Sequence, residues 1–167
     1  MTLLRSILML SSDGITGPAI PTPDAQEFKT YTFEYSLFPH QKGWKEADSF
    51  KPANEFNNEL ISFQIPAAKG KGTFPSQFSF VEIKPENLIL VTLKKSEEGD
   101  EVILRFFETK GEETQAEIKV FRRIKRAIIT NLLEEDEYKL EPEGDILRMK
   151  VKPFEIITLR LRLQRTS

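Results

Sequence analysis

Side chains that could do chemistry are few and scattered in this sequence. The one histidine, His40, follows Pro39 and has no Cys, His-x-Glu or His-x-x-x-His partner, so by itself it forms no zinc site. A Ser-His-Asp triad would need distant partners, and no Gly-x-Ser-x-Gly elbow is present. Glycoside hydrolysis needs two positioned carboxylates, and no pair stands out among the 26 acidic residues. We therefore predict no catalytic residue and no metal site in this segment, and we interpret His40 as a loop histidine.

Three short runs suggest binding, but a structural role suits each of them better. The acidic residues 134–137 lack the Asp-x-Asp-x-Asp-Gly spacing of a calcium loop, which favours a solvated turn. Residues 70–73, Gly-Lys-Gly-Thr, resemble the tail of a phosphate loop without its upstream glycine or its helix. The basic run 122–126 could contact phosphate, but its acidic neighbours and the absence of interleaved aromatics favour a solvated or domain-facing strand. This run comprises Arg122, Arg123, Lys125 and Arg126.

The composition of the chain indicates which binding partners and which cellular compartment to expect for the protein. The 167 residues suffice for one ordinary domain or two small ones, and a net charge of −2 provides no basic field for nucleic acid. The absence of cysteine excludes disulfides and thiolate sites and fits a reducing compartment, so we expect a cytoplasmic protein. The apolar residues 1–10 are too short to span a membrane and lack an Ala-x-Ala cleavage pattern, so we expect a strand and no membrane partner. A strand at the first residue suggests a piece of a longer protein.

A central hairpin is the clearest element of the pattern. Residues 88–93 and 102–107 are rich in Val, Ile, Leu and Phe, and the polar residues 96–100 between them include Gly99, which accepts a positive φ. The continuous apolar run 88–91 predicts a strand buried on both faces.

The remaining elements indicate an all-β protein, an antiparallel β-sandwich with one or two short helices. For residues 124–137 a helix is a rival interpretation, but the β-branched Ile128, Ile129 and Thr130 favour a strand. Trp44, Ala47 and Phe50 have helical spacing, and a second helical turn is expected near Ala53 and Phe56. Further strands are predicted at 2–10, 30–38, 60–65, 78–83, 115–121, 127–133, 146–151 and 156–163.

The best candidate for a boundary is the small, basic, Gly-rich stretch 66–75. We predict a first domain over residues 1–66, a linker over 67–77 and a second domain over 78–167.

Several segments, in order along the chain, resemble the C-terminal β region of the glycoside hydrolase family 38 α-mannosidases. Residues 93–100, Leu-Lys-Lys-Ser-Glu-Glu-Gly-Asp, followed by 103–108, Ile-Leu-Arg-Phe-Phe-Glu, are similar to that family's turn and strand. Matching segments also occur at 2–6 (Thr-Leu-Leu-Arg-Ser), 23–24 (Pro-Asp), 33–40 (Phe-Glu-Tyr-Ser-Leu-Phe-Pro-His), 43–44 (Gly-Trp), 55–58 (Glu-Phe-Asn-Asn) and 153–161 (Pro-Phe-Glu-Ile-Ile-Thr-Leu-Arg-Leu).

The resemblance implies that residues 1–66 end a mutarotase-like β supersandwich and that 78–167 form the small C-terminal β-sandwich. The family's enzymes are zinc-dependent retaining α-mannosidases whose catalytic barrel supplies the nucleophile and the zinc ligands, so zinc is expected in that catalytic domain and no cofactor in this segment. The implied function is a non-catalytic C-terminal domain that supports the barrel and shapes its active site. Its partners would be the enzyme's own barrel and, through the parent, a mannoside substrate. A homo-oligomer is a further possible assembly that the sequence leaves undecided.

Arg5 is the one candidate for a substrate-binding residue. It interrupts an apolar segment, where an unpaired charge would be costly, and the family's β region contributes groups to the barrel's pocket. A structural salt bridge is the competing interpretation. The alternative function is a stand-alone module that binds carbohydrate or protein, which a row of exposed aromatics (Tyr31, Phe33, Tyr35) on a sandwich face would support.

Overall fold

The computed structural model describes residues 4, 6–11, 14–26, 29–64 and 74–165 of the chain. The chain divides into two compact units, Met1–Pro39 and His40–Ser167. Part of the predicted linker, residues 67–73, lies outside the described residues, as does part of the predicted strand 2–10. The division at 66–77 stays a prediction.

The first unit contains little regular structure in its described part. A 3-10 helix spans Pro23–Gln26, and Met9 and Pro21 form an isolated antiparallel bridge. The predicted strand over residues 30–38 is wrong, because this segment has no regular secondary structure and takes part in no ladder. An alternating pattern makes a strand only where a neighbouring strand offers its backbone groups, and among the described residues none pairs with this segment. Its aromatic side chains are exposed but lie on no sheet face.

The second unit begins with turns at 44–49 and a helix α1, Phe50–Asn57. Pro52 lies in the first turn of α1, where its missing N–H is not needed, so the helix continues through it. The Phe50 ring meets the Phe107 ring edge-on at 6.0 Å, which attaches α1 to the sheet. Residues 60–64 have no regular structure, so the strand predicted at 60–65 is also wrong.

Eight strands form two antiparallel sheets. The strands are β1 Val81–Lys84, β2 Leu88–Lys95, β3 Val102–Glu108, β4 Thr114–Val120, β5 Ile124–Thr130, β6 Asp136–Leu140, β7 Ile146–Val151 and β8 Ile156–Leu163. A three-stranded sheet has the order β1-β4-β7, and a five-stranded sheet has the order β2-β3-β8-β5-β6. The predicted all-β sandwich is confirmed, including β5 as a strand rather than a helix.

The core lies between the inner faces of the two sheets. Alternation decides which side chains enter it: on the strand β4, Ala116, Ile118 and Val120 are buried and the residues between them are not. The other sheet contributes Leu104, Phe106, Ala127, Ile129, Leu159 and Leu161 to the same cluster. Every hydrophobic side chain that is buried in the described part of the chain lies at or after Leu88.

Two features of the five-stranded sheet differ from the prediction. The hairpin is confirmed, with Leu93 opposite Leu104, but β2 is an edge strand and Val91 is 57% exposed, so the prediction of two buried faces is wrong. In its partner β3 the adjacent residues Ile103 and Leu104, which point to opposite faces, are both fully buried, so β3 is covered on both faces there. The acidic run 134–137, interpreted as a solvated turn, instead enters β6 at Asp136, and Glu134 is buried.

Candidate functional site

A buried polar cluster of the sandwich surrounds the carboxylate of Glu108, which accepts five hydrogen bonds. Glu108 ends β3 and is fully buried. Oε1 accepts hydrogen bonds from the Asn87 side-chain amide at 2.8 Å and from the Lys110 N–H at 2.7 Å. Oε2 accepts from three backbone N–H groups, those of Gly111 at 2.6 Å, Glu112 at 3.2 Å and Phe154 at 3.0 Å. Burial without these donors would strongly disfavour the charge.

This cluster joins three connections that are distant in sequence. Asn87 precedes β2, residues 109–113 connect β3 to β4, and Phe154 lies between β7 and β8. Asn87 binds further groups of the same cluster. Its side-chain amide donates to Thr114 Oγ1 at 2.8 Å, and its backbone carbonyl accepts from the Thr109 hydroxyl. Glu108 therefore acts as an internal cap for loops at one end of the sandwich.

The donors also decide the protonation state of Glu108. Burial by itself raises the pKa of this carboxyl, but the hydrogen bonds from Phe154, Asn87, Lys110 and Gly111 outweigh burial and lower the pKa to about 2. A general acid needs the opposite shift, a pKa raised towards neutrality. Glu108 is thus an ionised structural carboxylate, and its geometry does not suit proton donation to a glycosidic oxygen.

A second polar network covers the outer face of the five-stranded sheet. The β5–β6 turn folds back over this face, where the Arg105 guanidinium donates to the Leu132 carbonyl at 3.1 Å and Arg160 donates to the Glu134 carbonyl. The Glu134 carboxylate forms an ion pair with Lys94 at 2.8 Å and accepts from the Glu97 N–H at 3.0 Å. The Lys94 ammonium, followed by that N–H, lowers the pKa of Glu134.

Arg160 connects the β5–β6 turn to Glu101, the residue that directly precedes β3. Its guanidinium lies 2.9 Å from Asp136 and 3.9 Å from the buried Glu101, which also pairs with Arg162 at 3.2 Å. Because the buried carboxylates of Glu101 and Glu134 and the exposed one of Asp136 are all paired with cations, the arrangement fixes loops and does not present a pair of free carboxylates to a sugar.

The residues singled out in the sequence do not converge on one site. His40 is exposed, and its Nδ1 lies 2.5 Å from the Lys42 carbonyl oxygen. Arg5 and residues 70–73 lie outside the described residues, so both remain predictions. Within the described ranges no three His, Cys, Asp or Glu side chains are grouped to hold a metal ion, and no helix there is long and apolar enough to cross a membrane.

Sequence reasoning missed the role of Glu108. The signal was present, since an acidic residue that ends an apolar strand and precedes a Thr-Lys-Gly turn can accept the N–H groups of that turn. Asn87 gave no comparable signal, because its hydrogen-bond partners Glu108 and Thr114 become neighbours only when the strands pair.

Comparisons with known proteins agree with this architecture. Residues 87–159 match the family model described as "Glycosyl hydrolases family 38 C-terminal beta sandwich domain", a range that contains Asn87, Glu108 and Phe154. The chain is 30% identical over 162 residues to a "Putative mannosylglycerate hydrolase" of Halalkalibacterium halodurans, a match that covers 96% of this chain and 17% of that protein. It is 26% identical over 140 residues to "Alpha-mannosidase G" of Dictyostelium discoideum, covering 82% of this chain and 13% of that protein.

The chain thus spans less than a fifth of the length of either relative. The expectation that it corresponds to the C-terminal region of a family 38 enzyme is confirmed by the family model and by both relatives. The range 87–159, which holds β2 to β7, the first part of β8 and the Asn87–Glu108–Phe154 cluster, is thus the part of the chain that matches the glycosyl hydrolase family 38 C-terminal β-sandwich domain.

Proposed function

We propose that the chain serves as the non-catalytic C-terminal part of a larger glycosidase that hydrolyses terminal α-mannosidic bonds. The activities for which the two relatives are named support the substrate class, and a mannose conjugate of a small acid is one member of it. The catalytic carboxylates, and the zinc ion that the family resemblance implies, would belong to another part of the enzyme. The ionised state of Glu108, with its pKa of about 2, supports a structural rather than a catalytic duty here.

The exposure of apolar side chains at Leu37 and within residues 60–63 carries this proposal. Leu37, Ile61 and Phe63 are each about four-fifths exposed, and Leu60 is fully exposed. Isolated apolar residues on a surface are ordinary, but a long segment without any buried hydrophobic residue needs a further protein surface to cover it. The catalytic barrel and the remaining strands of a supersandwich would provide that surface. The chain would then support the barrel and position the loops that surround its pocket.

Arg5 remains our candidate for a direct contribution to the substrate pocket. A guanidinium in an apolar segment needs a carboxylate or sugar hydroxyls for its donors, and in the complete enzyme a mannoside would supply the latter. We also propose a cytoplasmic location, which the lack of cysteine in the chain supports.

An aryl α-mannoside assay tests the division of labour. We expect no turnover by the purified chain and turnover by the enzyme that contains it together with its catalytic barrel. A chelator should abolish activity of the complete enzyme and leave the melting temperature of the purified chain unchanged. Turnover by the purified chain itself, lost on addition of a chelator, would contradict the proposal.

A further inference from the structure

The end of the sandwich at the β2–β3 turn has an open apolar groove of about 280 Å³. Phe80, Leu93, Phe121 and Leu163 are among its lining residues. The groove lies where both sheets have free edges, since β1 and β2 are edge strands. Unpaired strand edges beside apolar side chains are surfaces that proteins normally cover.

An aromatic cluster extends this apolar surface. The Phe78 and Phe80 rings lie edge-on at 5.1 Å, and Phe80 meets Phe121 at 5.1 Å. Phe74 joins them at 4.7 Å from Phe78. Phe74, Phe78 and Phe80 are all exposed, although they pack against one another. A contiguous exposed patch of this kind marks an interaction surface.

A basic groove of about 670 Å³ adjoins the apolar one and shares Asp100, Glu101, Val102, Phe121 and Leu163 with it. Its cations are Arg122, Lys125, Arg162 and Arg165. Arg162 and Arg165 are paired with Glu101 and Asp100.

The other two cations are not neutralised in this way. Arg122 lies 4.9 Å from the centre of the Phe121 ring, and neither Arg122 nor Lys125 has a carboxylate partner among the described residues. The groove therefore carries an excess of positive charge beside an apolar pocket, which is complementary to an acidic segment with an apolar side chain.

The chain itself contains such a segment in the β5–β6 turn. Leu132 and Leu133 are 59% and 78% exposed, and the acidic Glu135 and Glu137 follow them on the surface. The turn is held in shape by the Asn131 Oδ1 atom, which accepts from the Leu133 and Glu135 N–H groups at 2.9 and 3.0 Å. A preformed turn loses little conformational entropy on binding.

We propose that the two grooves receive the β5–β6 turn of a second copy of this chain. Leu133 enters the apolar groove, and Glu135 and Glu137 face Arg122 and Lys125. The two surfaces are different parts of the molecule, so the contact is heterologous and leads to a closed ring or to continued growth, unless a two-fold arrangement uses it twice. This inference does not depend on the proposed glycosidase function.

The contact is small, so association in the micromolar range is expected. It should weaken with salt, because the Debye length falls from about 10 Å at 0.1 M to about 3 Å at 1 M ionic strength.

Sedimentation velocity on the full chain, over a concentration series up to roughly 0.5 mM, tests the proposal well above that range. The groove variant carries Arg122→Glu and Lys125→Glu, and the turn variant carries Leu133→Asp. Lys125 and Leu133 are exposed and Arg122 is half-buried without a carboxylate partner among the described residues, so both variants should stay folded, which a thermal melt of each checks. Lys119→Glu, an exposed change on β4, is the matched control and should associate like the parent.

Mixing the two variants gives the sharpest test. Each variant alone should be monomeric, whereas the mixture should form a dimer, because the groove variant keeps its turn and the turn variant keeps its groove. The mixed dimer should not grow further, since only one functional contact remains. A parent chain that stays monomeric, single variants that associate like the parent, or a mixture that stays monomeric would each overturn the proposal.

Discussion

The Asn87 side-chain amide donates to Glu108 Oε1 at 2.8 Å, although 21 residues separate the two in sequence. The same amide reaches Thr114 Oγ1, so residues that precede β2, end β3 and begin β4 share one buried cluster. A buried network of this kind is stabilising only while every member has its partner.

The Glu108 cluster predicts a specific acid sensitivity. Because the pKa of Glu108 is lowered to about 2 from a reference of 4.5, its contribution to the free energy of unfolding is complete above pH 4.5 and is lost as pH falls towards 2. Glu108→Gln should lower the free energy of unfolding at pH 7 by about 3 kcal/mol and should remove this part of the pH dependence. Urea unfolding between pH 7 and pH 2 measures both effects.

Glu113→Gln is the control for this prediction, since Glu113 is exposed and pairs only with Lys150. It should change the stability little. Equal pH dependence in Glu108→Gln and the parent chain would show that another group titrates.

Substitutions at Gly111 and Phe154 should have coupled effects on the free energy of unfolding. Gly111 has a φ of +72°, and a Cβ atom there would lie 2.5 Å from the Phe154 ring. Gly111→Ala should cost about 1–2 kcal/mol for the left-handed backbone, plus the packing of the displaced ring. Gly99→Ala, at a φ of +86° with open space around it, should show the backbone cost alone. In a Phe154→Ala background the excess cost at Gly111 should vanish, which a thermal double-mutant cycle measures.

The two strands of the hairpin should differ in their tolerance of truncation. Leu104 on β3 is fully buried, so Leu104→Ala should lower the free energy of unfolding by about 2–5 kcal/mol. Val91→Ala on the edge strand β2 should cost less than about 0.5 kcal/mol. Denaturant midpoints of both variants test this difference, and equal losses would place β2 in the interior.

Arg5→Met in the complete enzyme separates the two roles of this residue. If Arg5 binds substrate, kcat/KM should fall by about 1.5–3 kcal/mol in transition-state terms with little change in melting temperature. A lowered melting temperature with unchanged kinetics would instead identify a structural ion pair and remove Arg5 from the substrate site.

Limited proteolysis tests the predicted linker. The small, basic, Gly-rich composition of 66–75 predicts first cleavage after Lys69 or Lys71, as identified by mass spectrometry of the early fragments. First cleavage within 87–108 would contradict the domain division.

The local sequence pattern was sufficient to predict a strand wherever that strand pairs with other strands of this chain. The strands predicted at 115–121 and 156–163 are present as β4 and β8, with Ile118 and Leu159 in the core, and the Gly-containing turn at 96–100 identified the hairpin. The family resemblance likewise rested on contiguous residues. The equally clear alternation at Tyr31, Phe33 and Tyr35 did not make a strand, because a ladder needs a partner that periodicity cannot supply.

Tertiary structure alone decided which strand is an edge and which charges are buried. The sequence of β2 looks more interior than it is: β2 is an edge strand, and Val91 lies at a shift of the β2–β3 register between Leu90 and Thr92 and is exposed. Glu134 was interpreted as part of a solvated turn and Glu108 was given no role, yet both are buried, since donors that are distant in sequence converge on them when the sheets form. The sequence shows which side chains are ionisable, but their burial and their hydrogen-bond donors depend on the fold.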